Sequence, residues 1–167
     1  MTHALTISLD AMGGDSGAPA VVAGAELALR RLPGIRFAMF GTDSVVQPLL
    51  DQHPAVKAAS TFHHCEVAVG MDEKPSQALR HGRYRSSMWR SIQAVKDGEA
   101  SVAVSSGNTG ALMAMSRFCL KTISDIERPA ISGLWPSVRG ISIILDLGAT
   151  IGATLAGFLL ALVVGFL

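Results

Sequence analysis

GEASVAVSSGNTGALMAMSRFCLK, residues 98–121, joins three patterns that together predict the fold. The apolar residues Ala100–Val104 predict a short buried strand, Ser105–Gly110 predicts a polar glycine turn, and an apolar helix is expected from Ala111. A turn of this kind at a helix N-terminus presents free backbone N–H groups and hydroxyls at the positive end of the helix dipole. The stretch therefore predicts an anion site directly after a strand.

The remainder of the chain repeats the alternation of strands and helices. Short apolar segments predict further strands at 5–9, 35–40, 61–69 and 141–145. Helical spacing of apolar residues, with capping and breaking residues at the ends, predicts helices at 16–31, 41–52 and 76–96. This alternation predicts an α/β fold, with a parallel sheet between two layers of helices (α/β/α).

The composition limits the classes of partner. The 167 residues suffice for one domain with a core, and the net charge of +1 gives no bulk attraction to nucleic acid. Aromatic residues make up only 5% of the chain, which also argues against stacking on bases. Cys65 and Cys119 lie in unrelated segments without the spacing of metal ligands, which indicates a reducing intracellular compartment.

Three glycine-containing loops each follow a predicted strand, at 10–15, 105–110 and 146–149. The carboxyl ends of parallel strands lie at one edge of a sheet, which is where α/β proteins bind ligands. A single loop of this kind is explained by turn geometry alone, since tight turns need positive φ. Three on one predicted edge favour a ligand site. Its candidate binding residues are Asp10, Gly13, Gly14, Asp15, Ser105, Ser106, Gly107, Asn108, Thr109, Gly110 and Asp146.

No motif in the chain predicts a cofactor or a metal. The loops match neither the dinucleotide fingerprint nor the P-loop. His63 and His64, followed by Cys65 and Glu66, are adjacent residues that alternate across a strand and so cannot all face one ion. Sequence order alone assigns no catalytic residue, and no nucleophile elbow is present.

The segment Lys74–Lys96 contains six of the 14 basic residues and no Asp or Glu. Arg83 and Arg90 are seven residues apart, so on one continuous helix they would share a face. This pattern is typical of a solvated helix face, but it also suits docking of an acidic partner or phosphate. The candidate docking residues are Arg80, Arg83, Arg85 and Arg90.

Several motifs, taken in order, resemble one known family. They are DAMGGD (10–15), EKPSQALR (73–80), SSM (86–88), VSSGNTGALMA (104–114), RPAI (128–131) and LDLGA (145–149). Over about the first 149 positions they resemble the phosphate acyltransferases of bacterial phospholipid synthesis, the PlsX family.

This resemblance implies an enzyme that transfers a fatty acyl group from acyl carrier protein to inorganic phosphate, giving acyl phosphate. A membrane acyltransferase then uses the product to acylate glycerol 3-phosphate. It also implies a fold similar to the isocitrate and isopropylmalate dehydrogenases without their nicotinamide cofactor, a homodimer, and a cytoplasmic location with peripheral contact at the inner face of the membrane. In that setting Ser105–Gly110 would hold phosphate, and the arginine segment would meet the acidic carrier protein.

The chain departs from the family pattern in two places. His81–Arg85 replaces a stretch that is usually richer in lysine, and from Thr150 the familiar pattern ends although family members continue. We therefore expect a partial acyltransferase domain at 1–149 and a divergent apolar tail at 150–167.

The tail leaves its own alternatives open. Leu147–Leu167 lacks charged residues and is long enough to span a bilayer, with Gly148 and Gly152 spaced as in helix-pairing motifs. It is either a membrane anchor or apolar sequence that belongs to a core or a dimer interface in an incomplete copy. The alternative functions are accordingly a non-catalytic fragment that binds phosphate or the carrier protein, or a membrane-anchored remnant.

Overall fold

The computed structural model describes residues 5–122, 124, 131–138 and 140–145. The chain divides into two units, Met1–Lys121 and Thr122–Leu167. The first unit contains ten regular elements in its described part. They are β1 (Thr6–Asp10), α1 (Gly17–Arg31), β2 (Arg36–Gly41), α2 (Asp43–Gln52), α3 (Pro54–Ala59), β3 (Ser60–His64), α4 (Pro75–Gly82), α5 (Ser87–Lys96), β4 (Val102–Val104) and α6 (Thr109–Leu120).

The four strands form a parallel sheet in the order β3-β2-β1-β4. Alternate side chains of β2 show that helices cover both of its faces, because successive side chains of a strand point to opposite sides. Phe37 and Met39 belong to the core formed with α1, α2 and α3, whereas Ala38 and Phe40 pack with Ala94 of α5. The predicted α/β class with a parallel sheet is confirmed.

A separate apolar core fixes the position of α6. It joins buried side chains of α4, α5 and α6, which are Ala78, Met88, Trp89, Ile92, Ala111, Met115 and Cys119. Because Ala111 lies in the first turn of α6, this packing holds the N-terminus of the helix at the end of β4. Cys119 is 1% exposed and packs in this core as a small apolar residue.

The prediction of one helix over 76–96 is wrong, since the segment forms two helices. The Ser86 hydroxyl accepts a hydrogen bond from the Trp89 backbone N–H at 3.1 Å and so starts α5 afresh. Just before it, Tyr84 has φ of 66°, a left-handed conformation that no α-helix contains. Arg83 and Arg90 therefore do not share the face of one helix.

Two other predicted boundaries change. The predicted helix ends at Gln52 as expected, but a further helix, α3, begins directly afterwards at Pro54. Proline suits this first turn because its missing N–H is not needed there. The strand predicted over 61–69 is shorter and ends at His64.

In the second unit, β5 (Ser132–Ser137) and β6 (Gly140–Leu145) form an antiparallel hairpin. The expectation that 141–145 continues the parallel sheet is wrong, because within the described residues β6 pairs only with β5. Asp146 and the loop 146–149 lie outside the described residues. So do the predicted boundary at 149/150 and the apolar tail, which stay predictions.

Candidate anion-binding site

Two of the three predicted loops meet at the carboxyl edge of the sheet. Strands β1 and β4 are neighbours, with Leu9 opposite Val104, so the segments that follow them begin side by side. These segments are Asp10–Asp15 and Ser105–Gly110, and hydrogen bonds link them directly. Adjacent strands far apart in sequence thus create the candidate site.

Asp10 and Ser105 form the buried link between the two loops. The Ser105 hydroxyl donates to Asp10 Oδ2 at 2.7 Å and accepts from the Gly107 N–H at 3.1 Å. Asp10 Oδ1 accepts from the Met12 N–H at 3.3 Å, and the residue is only 2% exposed. Because both carboxylate oxygens already have donors, Asp10 orients the loops rather than facing solvent.

The glycines of the first loop allow the two backbones to touch. A Cβ atom at Gly13 would lie 2.8 Å from the Gly107 nitrogen, closer than real side chains come. Gly14 has φ of 89°, and a Cβ there would lie 2.7 Å from Ser106 Oγ. The Ser106 hydroxyl in turn donates to the Gly13 carbonyl at 3.0 Å. Side chains are therefore excluded along this contact.

The exposed side of the second loop carries the groups suited to an anion. Ser106 and Thr109 are exposed, and Thr109 is the first residue of α6. The N–H groups of Thr109 and Gly110 belong to the first turn and have no acceptor within the helix. Hydroxyls and N–H groups at a positive helix end favour a small anion such as phosphate. Asp15 is exposed at the far end of the first loop.

The side chain of Asn108 is used inside the protein. Its Oδ1 caps α6 by accepting from the Ala111 N–H at 3.0 Å, and its Nδ2 donates to carbonyls of the loop before α4. The sequence pattern predicts a binding role for Asn108 and does not indicate its contact with that loop. The one signal in the sequence for the cap is an asparagine near a predicted helix start, since asparagine is a preferred N-cap residue.

Two cavities lie along the sheet. One of about 460 Å³ runs between α1 and β4, with mostly apolar walls, and reaches Asp10, Ser105 and Ser106. The other, of about 530 Å³, includes Thr6, Arg36 and Glu99 and lies away from the glycine loops. The smaller cavity is the one that belongs to the candidate site.

The four candidate docking arginines have different surroundings. Arg80 is exposed in the last turn of α4, and Arg83 just beyond it lies over the rings of Tyr84 and Trp89, at 4.8 and 5.5 Å from their centres. Exposed Arg85 pairs with Glu66 at 2.8 Å, and this guanidinium holds the pKa of the Glu66 carboxyl below its ordinary value.

Arg90 differs from the other three because it packs inward. It is only partly exposed, donates to the His64 carbonyl at 2.9 Å and lies 5.7 Å from the centre of the Phe40 ring. The structure thus groups Arg80, Arg83 and Arg85 around the turn between α4 and α5 and gives Arg90 a packing role.

The two histidines at the end of β3 and the cysteine that follows them are used in packing and hydrogen bonding. His63 stacks on Phe40 with ring centres 4.6 Å apart, and His64 Nδ1 accepts from the Asp43 N–H at 3.1 Å. Burial raises the pKa of the Cys65 thiol, which Arg90 only partly opposes. In the part of the chain that the structure describes, no group of three or more His, Cys, Asp or Glu side chains is placed to hold a metal ion.

The segment considered as a membrane anchor, Leu147–Leu167, lies outside the described residues, so that alternative stays a prediction. Among the residues whose structure is described, no helix has both the length and the apolar character needed to cross a bilayer.

The fold and the loops define an α/β protein with helices on both faces of a parallel sheet and a polar glycine turn at its carboxyl edge. Over residues 5–161 the chain matches the family described as "Fatty acid synthesis protein". The chain belongs to this family, and the resemblance noted in its motifs is confirmed.

Curated relatives agree with this assignment. The phosphate acyltransferases of Brucella ovis, Brucella canis and Brucella suis are each 60% identical to the chain over 149 residues. The match covers 89% of this chain and 43% of each relative. The chain therefore spans less than half the length of these relatives.

Proposed function

We propose that this chain forms part of an acyltransferase that moves a fatty acyl group from acyl carrier protein to inorganic phosphate. The observation that carries the proposal is the contact between the two glycine loops, which places a helix N-terminus and the exposed residues Ser106 and Thr109 at the sheet edge. Relatives named phosphate acyltransferase, which share 60% identity over most of this chain, support the same activity.

Phosphate binds at the turn Ser105–Gly110. The Thr109 hydroxyl donates to its oxygens, as do the backbone N–H groups of Asn108, Thr109 and Gly110. The Ser106 hydroxyl, which donates to the Gly13 carbonyl in this structure, exchanges that acceptor for a phosphate oxygen on binding. Gly13, Gly14 and Gly107 contribute by their close backbone approach, and Asp10 by orienting Ser105. Asp15, at the exposed end of the first loop, and Asp146 are the remaining proposed phosphate-binding residues.

The reaction needs no nucleophile from the protein. A phosphate oxygen attacks the thioester carbonyl, a C–O bond forms, the C–S bond breaks, and the carrier's thiolate leaves and takes up a proton. Holding phosphate in position and stabilising the charge that develops supply most of the rate enhancement. The apolar cavity beside Ser105 and Ser106 offers a surface for the acyl chain.

The acidic carrier protein docks at the turn between α4 and α5. Arg80, Arg83 and Arg85 are exposed there, and opposite charge speeds the encounter of two proteins. Arg90 supports this surface from below, through its contacts with His64 and Phe40.

The wider setting follows from the family resemblance. In the full-length enzyme we propose a homodimer in the cytoplasm, with peripheral contact at the inner face of the membrane. Its acyl phosphate passes to a membrane glycerol-3-phosphate acyltransferase.

Titration of inorganic phosphate into the purified chain, followed by calorimetry, tests the site. Thr109→Val removes one hydroxyl at nearly constant volume and should weaken phosphate binding about tenfold, the value of a hydrogen bond to a charged group. Thr61→Val, on the distant exposed strand β3, is the control and should leave binding unchanged. Equal phosphate affinity of the Thr109→Val variant and the unsubstituted chain contradicts the assignment. Trapping of acyl phosphate with hydroxylamine, from acyl carrier protein thioester and phosphate, then tests turnover.

A further inference from the structure

The side chain of Asn108 is fully occupied by backbone groups. Its Nδ2 donates to the carbonyls of Met71 at 2.7 Å and Glu73 at 2.8 Å, with Gly70 further away at 3.4 Å. Its Oδ1 accepts from Ala111. An asparagine amide has two N–H donors and one carbonyl, so these contacts leave no donor for a ligand.

The loop that Asn108 holds, Gly70–Pro75, has a defined internal structure. Glu73 closes it, because its N–H donates to the Gly70 carbonyl at 3.3 Å and its Oε2 accepts from the Gly70 N–H at 3.4 Å. Glu73 Oε1 also lies 2.7 Å from Nδ1 of His81 on α4. The loop is therefore held together by its own hydrogen bonds and linked to α4 through Glu73 and His81.

The same loop packs against the first turn of α6. A Cβ atom at Gly110 would lie 2.7 Å from Cγ of Pro75, so only a glycine permits the approach. Asn108 and Gly110 thus place the loop against the helix end whose N–H groups form the proposed phosphate site.

We propose that Asn108 is a positioning residue, whose side chain fixes the Gly70–Pro75 loop against α6 and thereby sets the phosphate-binding turn without contacting phosphate. The expected effect on phosphate binding rests on the proposed function. The contact between Asn108 and the loop is observed independently of that function, in the hydrogen bonds of the Asn108 side chain. Asn108 thus has two structural roles: its Oδ1 caps α6, and its Nδ2 holds the loop.

Two substitutions separate the clamp from the cap. Asn108→Ser and Asn108→Asp both keep an oxygen that caps a helix, whereas both lose the N–H groups that hold the loop. Asn108→Ala loses both functions and is the reference for a missing cap. Thermal unfolding of each variant establishes that it folds.

Hydrogen exchange without phosphate measures the clamp directly. In the Ser and Asp variants, exchange of backbone N–H groups in residues 70–78 should accelerate about tenfold or more, because the Met71 and Glu73 carbonyls lose the donor that holds the loop. Exchange of α1, which is remote from the loop, should stay unchanged. Loop exchange equal to that of the unsubstituted chain overturns the proposal.

Titration with inorganic phosphate distinguishes positioning from direct contact. We expect phosphate affinity to fall in parallel with loop protection. In the Ser variant, which adds no charge beside the anion, a loss of affinity with normal loop exchange would make Asn108 a phosphate ligand and overturn the proposal. If the unsubstituted chain binds no phosphate, the proposed function fails, and the exchange comparison still decides whether Asn108 holds the loop.

Glu73→Ala provides an independent test from the side of the loop. It removes the side-chain contacts to the Gly70 N–H and to His81, keeps the backbone bond from the Glu73 N–H to the Gly70 carbonyl, and leaves Asn108 intact. Removal of a negative charge should strengthen phosphate binding if charge alone matters. If the loop instead becomes looser, phosphate binding should weaken. We expect this second result, weaker phosphate binding together with faster loop exchange. Stronger binding with unchanged loop exchange counts against the proposal.

Discussion

Gly13 and Gly14 are the residues on which the candidate site depends most directly. Each lies where a methyl group would collide with the second loop, Gly13 against backbone and Gly14 against Ser106. Backbone cannot move aside as a flexible side chain can, so Gly13 is the stricter of the two positions. The DAMGGD motif is thus explained by contact between loops as well as by turn geometry.

Gly13→Ala should lower the free energy of unfolding by about 1–3 kcal/mol, as expected when extra atoms are forced into a packed contact. Gly24→Ala is the matched control, because Gly24 lies in α1 with nothing within 4 Å of its added Cβ. That change should raise stability by up to about 1 kcal/mol through helix propensity. Urea denaturation measures both, and similar effects of the two substitutions would contradict the proposed loop contact.

At the residue scale, the sequence predicted which residue types surround the site but not how they pair. Asp10 and Ser105 were both identified because each follows a strand. Their 2.7 Å contact depends on β1 and β4 being neighbours in a fixed register, which no local pattern encodes. The use of Asn108 inside the protein was missed for the same reason, since its partners lie 35–38 residues away.

At the scale of elements, the break between α4 and α5 changes the interpretation of the basic segment. Apolar and basic residues continue at helical spacing through Gly82–Ser86, so periodicity predicts one helix. The cap at Ser86 and the left-handed Tyr84 end that continuity. They place Arg83 and Arg85 in an exposed turn and Arg90 against the sheet.

Charge reversal should therefore affect Arg83 and Arg90 in different ways. Arg83→Glu should slow association with acyl carrier protein at low salt, and the difference should shrink as salt screens the charges. Arg31→Glu, an equal charge change on exposed α1, controls for net charge. Stopped-flow association rates provide the measurement, and equal rates for the two variants would contradict a docking role for Arg83.

Arg90→Glu should instead lower the free energy of unfolding by about 1–3 kcal/mol, since a carboxylate cannot donate to the His64 carbonyl. Urea denaturation of this variant beside Arg83→Glu separates packing from docking. Greater destabilisation by Arg83→Glu would contradict the packing role of Arg90.

At the scale of the whole molecule, β4 forms one border of the four-stranded sheet. In the described residues it pairs only with β1, and its Val102 and Val104 are 43% and 50% exposed. The prediction of a buried strand over Ala100–Val104 is wrong in length and in burial, because β4 covers only Val102–Val104 and both valines are exposed. The class of fold was predicted correctly. The sequence does not predict the strand order β3-β2-β1-β4. The connection from β3 to β4 crosses β2 and β1, and α5, which belongs to that connection, packs against β1, β2 and β4.

An apolar strand at the open edge of a sheet promotes association with other chains. Val104→Lys should reduce self-association of the purified chain, because an outward charge opposes strand pairing between copies. Val45→Lys is the control, since Val45 is 40% exposed on α2 and away from any strand edge. Sedimentation velocity over a range of concentrations measures the effect. Equal self-association of the two variants would mean that the border at β4 is not the cause.

The link between Asp10 and Ser105 also has a consequence during synthesis. The two residues are 95 positions apart, an interval that a ribosome takes roughly 5–20 s to translate. The first glycine loop therefore emerges long before the loop that completes it, and contacts of such long range form late in folding. During this interval the edge of β1 that later pairs with β4 has no partner strand in the nascent chain. Because an open strand edge promotes aggregation, binding of chaperones to the nascent chain should be greatest just before β4 emerges.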